Sequence, residues 1–535
     1  MRPISSIMIL MQMTIRSFIL LFWATICTYT IGQAQILRSS HLPIIRINTS
    51  QAEIPDEPKI PGSIEIIENG GGNLNSPSDP PSHYQGPIGI EVRGNSTQDF
   101  EKKTYAIELR DDADNDFSAP LLGMGKEEDW ILHAMVIDKS QLRIPYSFYL
   151  WQRMGHYAAN WRYVELILNG EYRGLYILTE RIKRDDDRVD IAKLSEEDLS
   201  GDALTGGYIL RIDWLEESQG FESQYKAQGG EPIFFQWYYP RADRIQPEQA
   251  AYIESWIANF ENALFAEDYH NARGERYSDL IHLASFADFL LINEFSKNSD
   301  GYKLSSYIHK DRDSRGGLLV AGPIWDFDQT YGISEVCSND NPRGWTYRQD
   351  QDACEDLESM PLWWQKMVAD DTFRELLSQR WSSFRSTFLH QDSIYAWIDK
   401  HRDFIAPAIE RNFTRWDEMI GEFIWFEPEP LPESYEEEIL QLKSRIAQRL
   451  DWMDANLPLI SGKKRDFFRL FPNPTSGILN LQAPEEIETT VYDLSGRTLL
   501  YSTDKELDLS ALPAGAYVLK LRIEDWKGSE LVIKH

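Results

Sequence analysis

The chain has little cysteine and little positive charge for its length. Three cysteines occur in 535 residues, and 54 Lys and Arg stand against 85 Asp and Glu, for a formal net charge of −31. A surface this acidic disfavours nucleic acids and anionic membranes as partners. Cys337 and Cys354 lie close in sequence without neighbouring histidines. This pattern disfavours a zinc site and, in an exported protein, favours a disulfide between the two.

Long apolar runs are also scarce, and the clearest one lies near the N-terminus. Arg16 is followed by SFILLFWATICTYTI and then by Gly32-Gln33-Ala34, a small-x-small pattern typical of signal-peptide cleavage. The run is too short, with the wrong flanks, for a membrane-spanning helix. We predict that residues 1–34 are a secretory signal peptide, with an uncleaved anchor as the alternative. After cleavage, no integral membrane segment is expected.

What the chain does contain predicts an α+β protein of two or three domains. Its 42% hydrophobic and 12% aromatic residues suffice for a large core. Residues 35–85 suggest a peripheral strand pair, and residues 86–456 a sheet-rich half followed, after about Gln246, by long amphipathic helices. A linker over 457–466 leads into residues 467–535, whose short strands and turns predict a small all-β sandwich.

The most chemically suggestive stretch is a predicted hairpin with acidic residues at both ends. Its strands are Ser306–Lys310 and Leu318–Ile324. Because a hairpin returns the chain to its starting point, Asp300 before it and Asp326 after it should lie near each other, with Asp328 close by. Adjacent carboxylates repel unless a proton or metal separates them, so this is a candidate Mg²⁺ or general-base site. Turn and capping roles are the structural alternative.

A second hairpin offers a candidate phosphate clamp. The turn Gly94-Asn95-Ser96-Thr97 separates a strand ending at Arg93 from one that begins with Lys102-Lys103. Backbone N–H groups and an ammonium can both face an anion. A solvated hairpin end has the same sequence pattern.

Two parts of the chain resemble known families. The first contains six characteristic stretches: IGIEVRGNS (88–96), KKTYAIEL (102–109), LGMGKEEDW (122–130), DKSQLR (138–143), VELILNGEYRGLYILTERIK (164–183) and GPIWDFDQTYG (322–332). Through them, residues from about 43 to 457 resemble the CotH family of exported atypical protein kinases, named for a spore-coat protein. The second part contains FPNPTSG, VYDLSGR and LPAGAYVLKL. Through these motifs, residues from about 467 to 535 resemble the type A C-terminal sorting domain of the type IX secretion system.

The CotH resemblance implies a kinase-like two-lobe fold, with an N-terminal β-rich lobe and a C-terminal helical lobe enclosing ATP and Mg²⁺, or Mn²⁺. Asp300 then takes the catalytic role at the acceptor hydroxyl, and Asp326 binds the metal. The other implied site residues contact the phosphates or lie beside the adenine: Arg93, Asn95, Ser96, Lys103 or less readily Lys102, and Glu180.

Three positions depart from the family pattern. Ser305 stands where kinases place a metal-binding Asn, five residues after the catalytic Asp, and Asp328 is a candidate substitute ligand. Arg143 is followed by Ile144 instead of Asn, and Gln98 replaces a Trp. A hydroxyl is a weaker ligand than an amide carbonyl, so the metal site of this chain differs from the family's.

The resemblances together predict a kinase that phosphorylates Ser or Thr hydroxyls of a protein, with a basic protein as one candidate substrate. The type IX machinery would carry it through the periplasm to the cell surface or beyond. One alternative is an inactive kinase-like binding module. The other is a structural or carbohydrate-associated surface protein using some of its 17 Trp as sugar platforms, although Trp363 and Trp364 lie in a predicted amphipathic helix and suggest core.

Overall fold

The computed structural model of the protein describes residues 37–94, 96–214, 219–227, 230–348, 360–460, 469–482, 487–493, 497–523 and 526–535. The predicted signal peptide, Asn95, Cys354 and the side chain of Ser96 lie outside the described residues. Two compact units are present. The first holds the described residues up to Met367 together with Arg380–Leu450, and the second holds Val368–Gln379 and the described residues from Asp451 onward.

A closed barrel of seven strands forms the first part of the first unit. Its strand order is β1-β2-β3-β4-β7-β9-β8. These strands and the short pair β5–β6 are β1 (Ile44–Asn48), β2 (Ile60–Ile67), β3 (Tyr84–Arg93), β4 (Thr104–Leu109), β5 (Ala119–Pro120), β6 (Lys126–Glu127), β7 (Asp129–His133), β8 (Trp161–Leu168) and β9 (Glu171–Glu180).

Each barrel strand directs alternate side chains inward, as strand geometry requires. The buried core takes at least two residues, two positions apart, from every strand: Ile45 and Ile47, Ile64 and Ile66, Ile88 and Ile90, Tyr105 and Ile107, Trp130 and Leu132, Val164 and Leu166, Tyr176 and Leu178. The Asn169-Gly170 turn joins β8 to β9 with φ values of 52° and 83°. This two-residue turn was expected from the sequence, because Asn and Gly tolerate positive φ.

The strand pair predicted within residues 35–85 is present as β1 and β2, but it is not peripheral. β1 pairs antiparallel with β2 and parallel with β8, with Ile44 opposite Glu165, so it closes the barrel. The partner of β1 lies more than a hundred residues away in sequence, and local patterns carry no signal of such a pairing.

A second, five-stranded sheet has the order β11-β12-β10-β13-β14. Its strands are β10 (Tyr208–Ile212), β11 (Gly220–Lys226), β12 (Pro232–Tyr239), β13 (Ser306–Lys310) and β14 (Leu319–Ala321). The predicted hairpin is therefore present as β13–β14, with a shorter second strand than expected.

The described residues also form eight α-helices. They are α1 (Arg143–Arg153), α2 (Gly201–Leu204), α3 (Pro247–Phe265), α4 (Leu283–Ser296), α5 (Trp363–Ala369), α6 (Asp371–Arg385), α7 (Gln391–Arg415) and α8 (Tyr435–Ile460). Helix α4 is buried along nearly its whole length, with Phe286, Leu290 and Ile292 all 0% exposed. Within the described residues, no helix is long and apolar enough to cross a membrane.

The second unit contains the predicted all-β region. Its strands are β15 (Arg469–Phe471), β16 (Ile478–Gln482), β17 (Glu488–Tyr492), β18 (Thr498–Ser502), β19 (Glu506–Asp508), β20 (Gly515–Ile523) and β21 (Trp526–Lys534). They form a three-stranded and a four-stranded sheet whose inner residues share one hydrophobic core. Residues 457–460 of the predicted linker belong to α8, and residues 461–468 lie outside the described residues.

Candidate active site

Two loops at the end of the β13–β14 hairpin bring the predicted acidic residues together. One runs from the end of α4 to β13 and contains Asp300, and the other follows β14 and contains Asp326 and Asp328. The backbone N–H of Tyr331 donates to the carbonyl of Ser296 at 2.6 Å, and the side-chain amide of Asn339 donates to the carbonyls of Lys297 and Gln329. These bonds tie the loops side by side.

A chain of amides fixes the backbone around Asp300. Helix α4 ends at Ser296, and the residue that caps it, Lys297, adopts a left-handed conformation with φ of 51°. The N–H of Asp300 donates to Asn298 Oδ1 at 3.1 Å, and Asn298 Nδ2 donates to Asn293 Oδ1 at 3.2 Å. A Cβ at Gly301 would lie 2.6 Å from Asn293 Oδ1. Glycine is therefore required at position 301 because the Asn293 side chain approaches it closely, and not only because turns favour glycine.

Asp326 and Asp328 lie on the facing loop in different settings. Asp326 is half-buried and has a φ of 61°, a left-handed conformation that few non-glycine residues adopt. Asp328 is only 5% exposed, and its Oδ1 accepts the N–H of Gln329 at 2.9 Å. Among the described residues, no Lys or Arg forms an ion pair with either carboxylate.

The electrostatics of these acids favour a bound proton or cation. Burial, followed by the charges of Asp328, Asp300 and Asp213, raises the pKa of Asp326 well above its ordinary value. Burial, followed by the charge of Asp300, raises the pKa of Asp328 to about 7. Carboxylates desolvated beside one another lose their charge unless a cation compensates for it.

The raised pKa of Asp328 predicts a pH-dependent stability in the absence of metal. The folded protein binds the proton of the Asp328 carboxyl more tightly than the unfolded chain does. The contribution of this carboxyl to stability is therefore lost as pH rises from about 4 to about 7.

Asp328→Asn removes the titrating group. We expect its melting temperature in chelator to exceed that of the wild type by several degrees at pH 8 and by much less at pH 5. Thermal unfolding at both pH values measures this, with exposed Asp112→Asn as control. An equal gain at both pH values would contradict it.

Arg93 faces the acids from the end of β3. Its guanidinium carbon lies 5.9 Å from the ring centroid of Trp325, next to Asp326 in the chain. Its positive charge lowers the pKa of Asp326, although burial and the neighbouring acids raise that pKa by more. Burial lowers the pKa of His133, and the charge of Arg93 lowers it further. The barrel thus places a cation beside the acidic loops, as the phosphate-contact role predicted for Arg93 requires.

The two candidate lysines differ in position. Lys102 is 2% exposed and donates to the carbonyl of Leu175 at 2.8 Å and to Asn412 Oδ1 at 3.1 Å, and burial lowers its pKa to about 7. It therefore fastens helix α7 to strand β9. Lys103 is half-buried and donates to the carbonyl of Gln98, the residue after the Gly94–Thr97 turn that was predicted as a phosphate clamp. The geometry favours Lys103 over Lys102 at the phosphates.

Glu180, predicted to lie beside adenine, is fully buried at the end of β9. Its carboxylate accepts the Tyr157 hydroxyl at 3.0 Å, the Asn160 N–H at 2.9 Å and the Asn160 side-chain amide at 3.1 Å. These donors hold the start of β8 against the end of β9. Both carboxylate oxygens of Glu180 therefore already accept hydrogen bonds from other residues of the protein.

Ser305 and Cys337 flank the acidic residues in sequence. Ser305 is half-buried just before β13, with a φ of 44°. Cys337 is 4% exposed and disulfide-bonded, in the segment after the Asp326 loop. Its predicted partner, Cys354, lies outside the described residues, so the pairing stays a prediction.

Sequence reasoning missed Asp213 and left the role of Arg143 open. Arg143 donates from Nε to the carbonyl of Thr330 at 2.9 Å and from Nη1 to Asp138 at 2.6 Å and Glu438 at 2.7 Å. It therefore holds the loop that carries Asp326 against α1 and α8. Asp213 follows β10 directly, and an acid at a strand end was the only signal for it in the sequence.

A different acidic cluster has tighter geometry but is already neutralised. Among the described residues, only Glu127, Glu128 and Asp129 offer three ligand atoms within 4.8 Å of one another. Lys183 Nζ lies 2.9 Å from Glu127 and 3.0 Å from Asp129, and also pairs with Glu128. The ammonium takes the place that a metal ion would require.

Comparison with protein families accounts for most of the chain. A family model described as CotH kinase protein matches residues 90–453, more than half of the sequence. The chain belongs to the CotH family. A second model, described as a secretion system C-terminal sorting domain, matches residues 469–534 of this CotH protein. No curated protein sequence matches it. The sorting domain indicates export by the type IX machinery to the cell surface or the exterior.

Proposed function

We propose that this CotH protein is an exported kinase that transfers the γ-phosphate of ATP to Ser or Thr hydroxyls of a protein substrate. The observation that carries the proposal is the group of uncompensated carboxylates, Asp326 and Asp328, beside the loop of Asp300 and opposite Arg93. Phosphoryl transfer needs a divalent cation, cations on the phosphates and an acid near the acceptor hydroxyl. The barrel and the helical part would then act as the two lobes of a kinase-like fold.

The donor set fits Mg²⁺ or Mn²⁺. Both ions prefer carboxylate and water oxygens, and a cation would relieve the repulsion that raises the pKa of Asp328. Asp326 and Asp328 would hold the metal, with the Ser305 hydroxyl as a weaker candidate. When bound, the metal supplies positive charge to the phosphate oxygens.

Other residues supply the remaining functions. Asp300, on a turn fixed by Asn293 and Asn298, accepts or orients the proton of the acceptor hydroxyl. Arg93 and Lys103 contact the phosphates beneath the 94–99 turn. A basic acceptor suits the acidic chain, because opposite charges speed association.

An inactive nucleotide-binding module is the second candidate. It is favoured by Ser305, which lacks the amide ligand of the family pattern. For the carbohydrate alternative, Trp363 and Trp364 cannot serve as sugar platforms, because they are 1% and 4% exposed. They belong to the core.

Asp326→Asn tests the proposal through binding. We expect calorimetry to show loss of Mg²⁺-dependent ATP binding, because the amide removes a charged ligand without changing side-chain size. The control is Glu128→Gln in the cluster that contains Lys183. Glu128→Gln should bind ATP in the presence of Mg²⁺ with the affinity of the wild type. Unchanged ATP affinity in Asp326→Asn, or loss in Glu128→Gln alone, would place the metal elsewhere and refute the assignment.

A further inference from the structure

The loop that joins α7 to α8 lines a groove on the surface of the first unit. The groove has a volume of about 570 Å³, and Phe100, Ile420, Phe423 and Ile424 form its apolar part. Ligand sites in proteins commonly have volumes of this size. The side chains of Phe423 and of nearby Phe426 are 60% and 53% exposed. Exposed aromatic side chains grouped at a groove are typical of a surface that a partner covers.

A buried lysine holds this loop in shape. Lys139, which is 0% exposed, donates from Nζ to the carbonyl of Glu422 at 2.8 Å and pairs with Glu427 at 2.7 Å. The other carboxylate oxygen of Glu427 accepts the N–H of Ile424 at 2.8 Å. The backbone on both sides of Phe423 is therefore fixed, and the groove is preformed.

The groove adjoins the proposed active site on two sides. Trp425 Nε1 donates to Gln329 Oε1 at 3.2 Å, and Gln329 directly follows Asp328 in the chain. The ring of Phe100, which follows the 94–99 turn, lies 6.1 Å from the ring of Trp425 in an edge-on arrangement. A segment bound in the groove therefore lies beside the loop of Asp328 and beside the turn that is proposed to cover the phosphates.

The charge of the groove indicates the chemistry of its partner. The polar part of its lining consists of Asp417, Glu418 and Glu422, all of them exposed. Within the part of the chain that the structure describes, none of these three acids forms an ion pair with Lys or Arg. They attract basic side chains and repel anionic lipids and nucleic acids. The neighbouring aromatic rings can pack against an apolar side chain or a guanidinium.

We propose that this groove docks the acceptor protein through a segment that combines basic residues with an apolar side chain close to the phosphorylated Ser or Thr. Phe423 contacts the apolar side chain, and the three acids pair with the basic residues. This docking role rests on the proposed function. It narrows the substrate from basic proteins in general to those with a basic segment that also carries an apolar residue.

Fluorescence anisotropy of a labelled peptide tests docking on the full chain without requiring phosphoryl transfer. The probe carries a central Ser flanked by Leu and Phe, with a pair of Arg at each end. We expect Phe423→Ala to weaken binding about tenfold, as loss of a central aromatic contact does. The matched control is Phe117→Ala, because Phe117 is 45% exposed and lies between β4 and β5. The control should keep wild-type affinity.

Two results of this binding experiment would overturn the proposal. One is wild-type affinity in Phe423→Ala, and the other is no binding of the probe by the wild type. A change of oligomeric state in Phe423→Ala, measured by light scattering, would assign the groove to a second copy of the chain and would also overturn it.

A charge exchange tests the acidic side of the groove. Glu418→Lys should weaken binding of the basic probe about tenfold. It should bind a probe with Glu in place of Arg more tightly than the wild type does. The control is Glu410→Lys, because Glu410 is exposed on α7 and its replacement changes the net charge of the protein equally. Equal effects of the two substitutions would indicate general electrostatic attraction and contradict docking in the groove.

Kinetics separate failure of docking from failure of the proposed function. With the same peptide as acceptor, Phe423→Ala should raise KM about tenfold and leave kcat nearly unchanged, because it removes binding that is equal in the ground state and the transition state. A wild-type KM in an active Phe423→Ala refutes the docking role and leaves the kinase proposal standing. If the wild type transfers no label but binds the probe through Phe423, the kinase proposal fails and the groove stands as a peptide-binding site. Thermal unfolding reports whether each variant is folded.

Discussion

Replacing Asp300 by Asn is expected to reduce phosphoryl transfer at least about a hundredfold, the lower range for loss of a positioned acid or base. ATP and Mg²⁺ affinity should change little, because in the proposed scheme Asp300 acts on the acceptor hydroxyl. The surrounding turn should persist, since it is held through the backbone N–H of Asp300 and through Asn293 and Asn298.

Transfer is measured with γ-labelled ATP, Mg²⁺ or Mn²⁺ and a panel of basic Ser/Thr-containing proteins. Asp313→Asn, in the turn between β13 and β14, is the control and should transfer label as the wild type does. Label transfer retained by Asp300→Asn would remove Asp300 from the chemistry. ATP binding without transfer by the wild type would favour the inactive module.

Deleting residues 467–535 should leave the protein in the periplasm. The deleted strands form their own core from residues such as Leu479, Val491 and Leu519, each 0% exposed. Cell fractionation and surface proteolysis report the location of the protein. As a control, the 467–535 segment fused to a periplasmic reporter should carry that reporter to the surface. Normal export of the truncated protein would refute the sorting role of this domain.

Local signals in the sequence predicted the parts of the fold that depend on neighbouring residues. The β13–β14 hairpin and the Asn169-Gly170 turn follow from alternation and turn chemistry. The hairpin was also sufficient to place Asp300 near Asp326, since a hairpin returns the chain to its starting point.

Features that depend on distant pairing were not predictable in this way. The parallel β1–β8 contact and the pairing of β10 with β13 each join segments remote in sequence. The consecutive lysines show a related limit. Both lysines lie just before β4, and Lys102 is buried by its contacts with β9 and α7, which are remote in sequence.

The parallel β1–β8 pair also bears on the order of events during folding. Ile44, the first residue of β1, pairs with Glu165. The barrel therefore cannot close until the chain is available as far as β8, more than a hundred residues beyond β1. Contacts of such long sequence separation form slowly. Any N-terminal fragment that ends before β8 consequently leaves one edge of β1 unpaired and open to association with other strands.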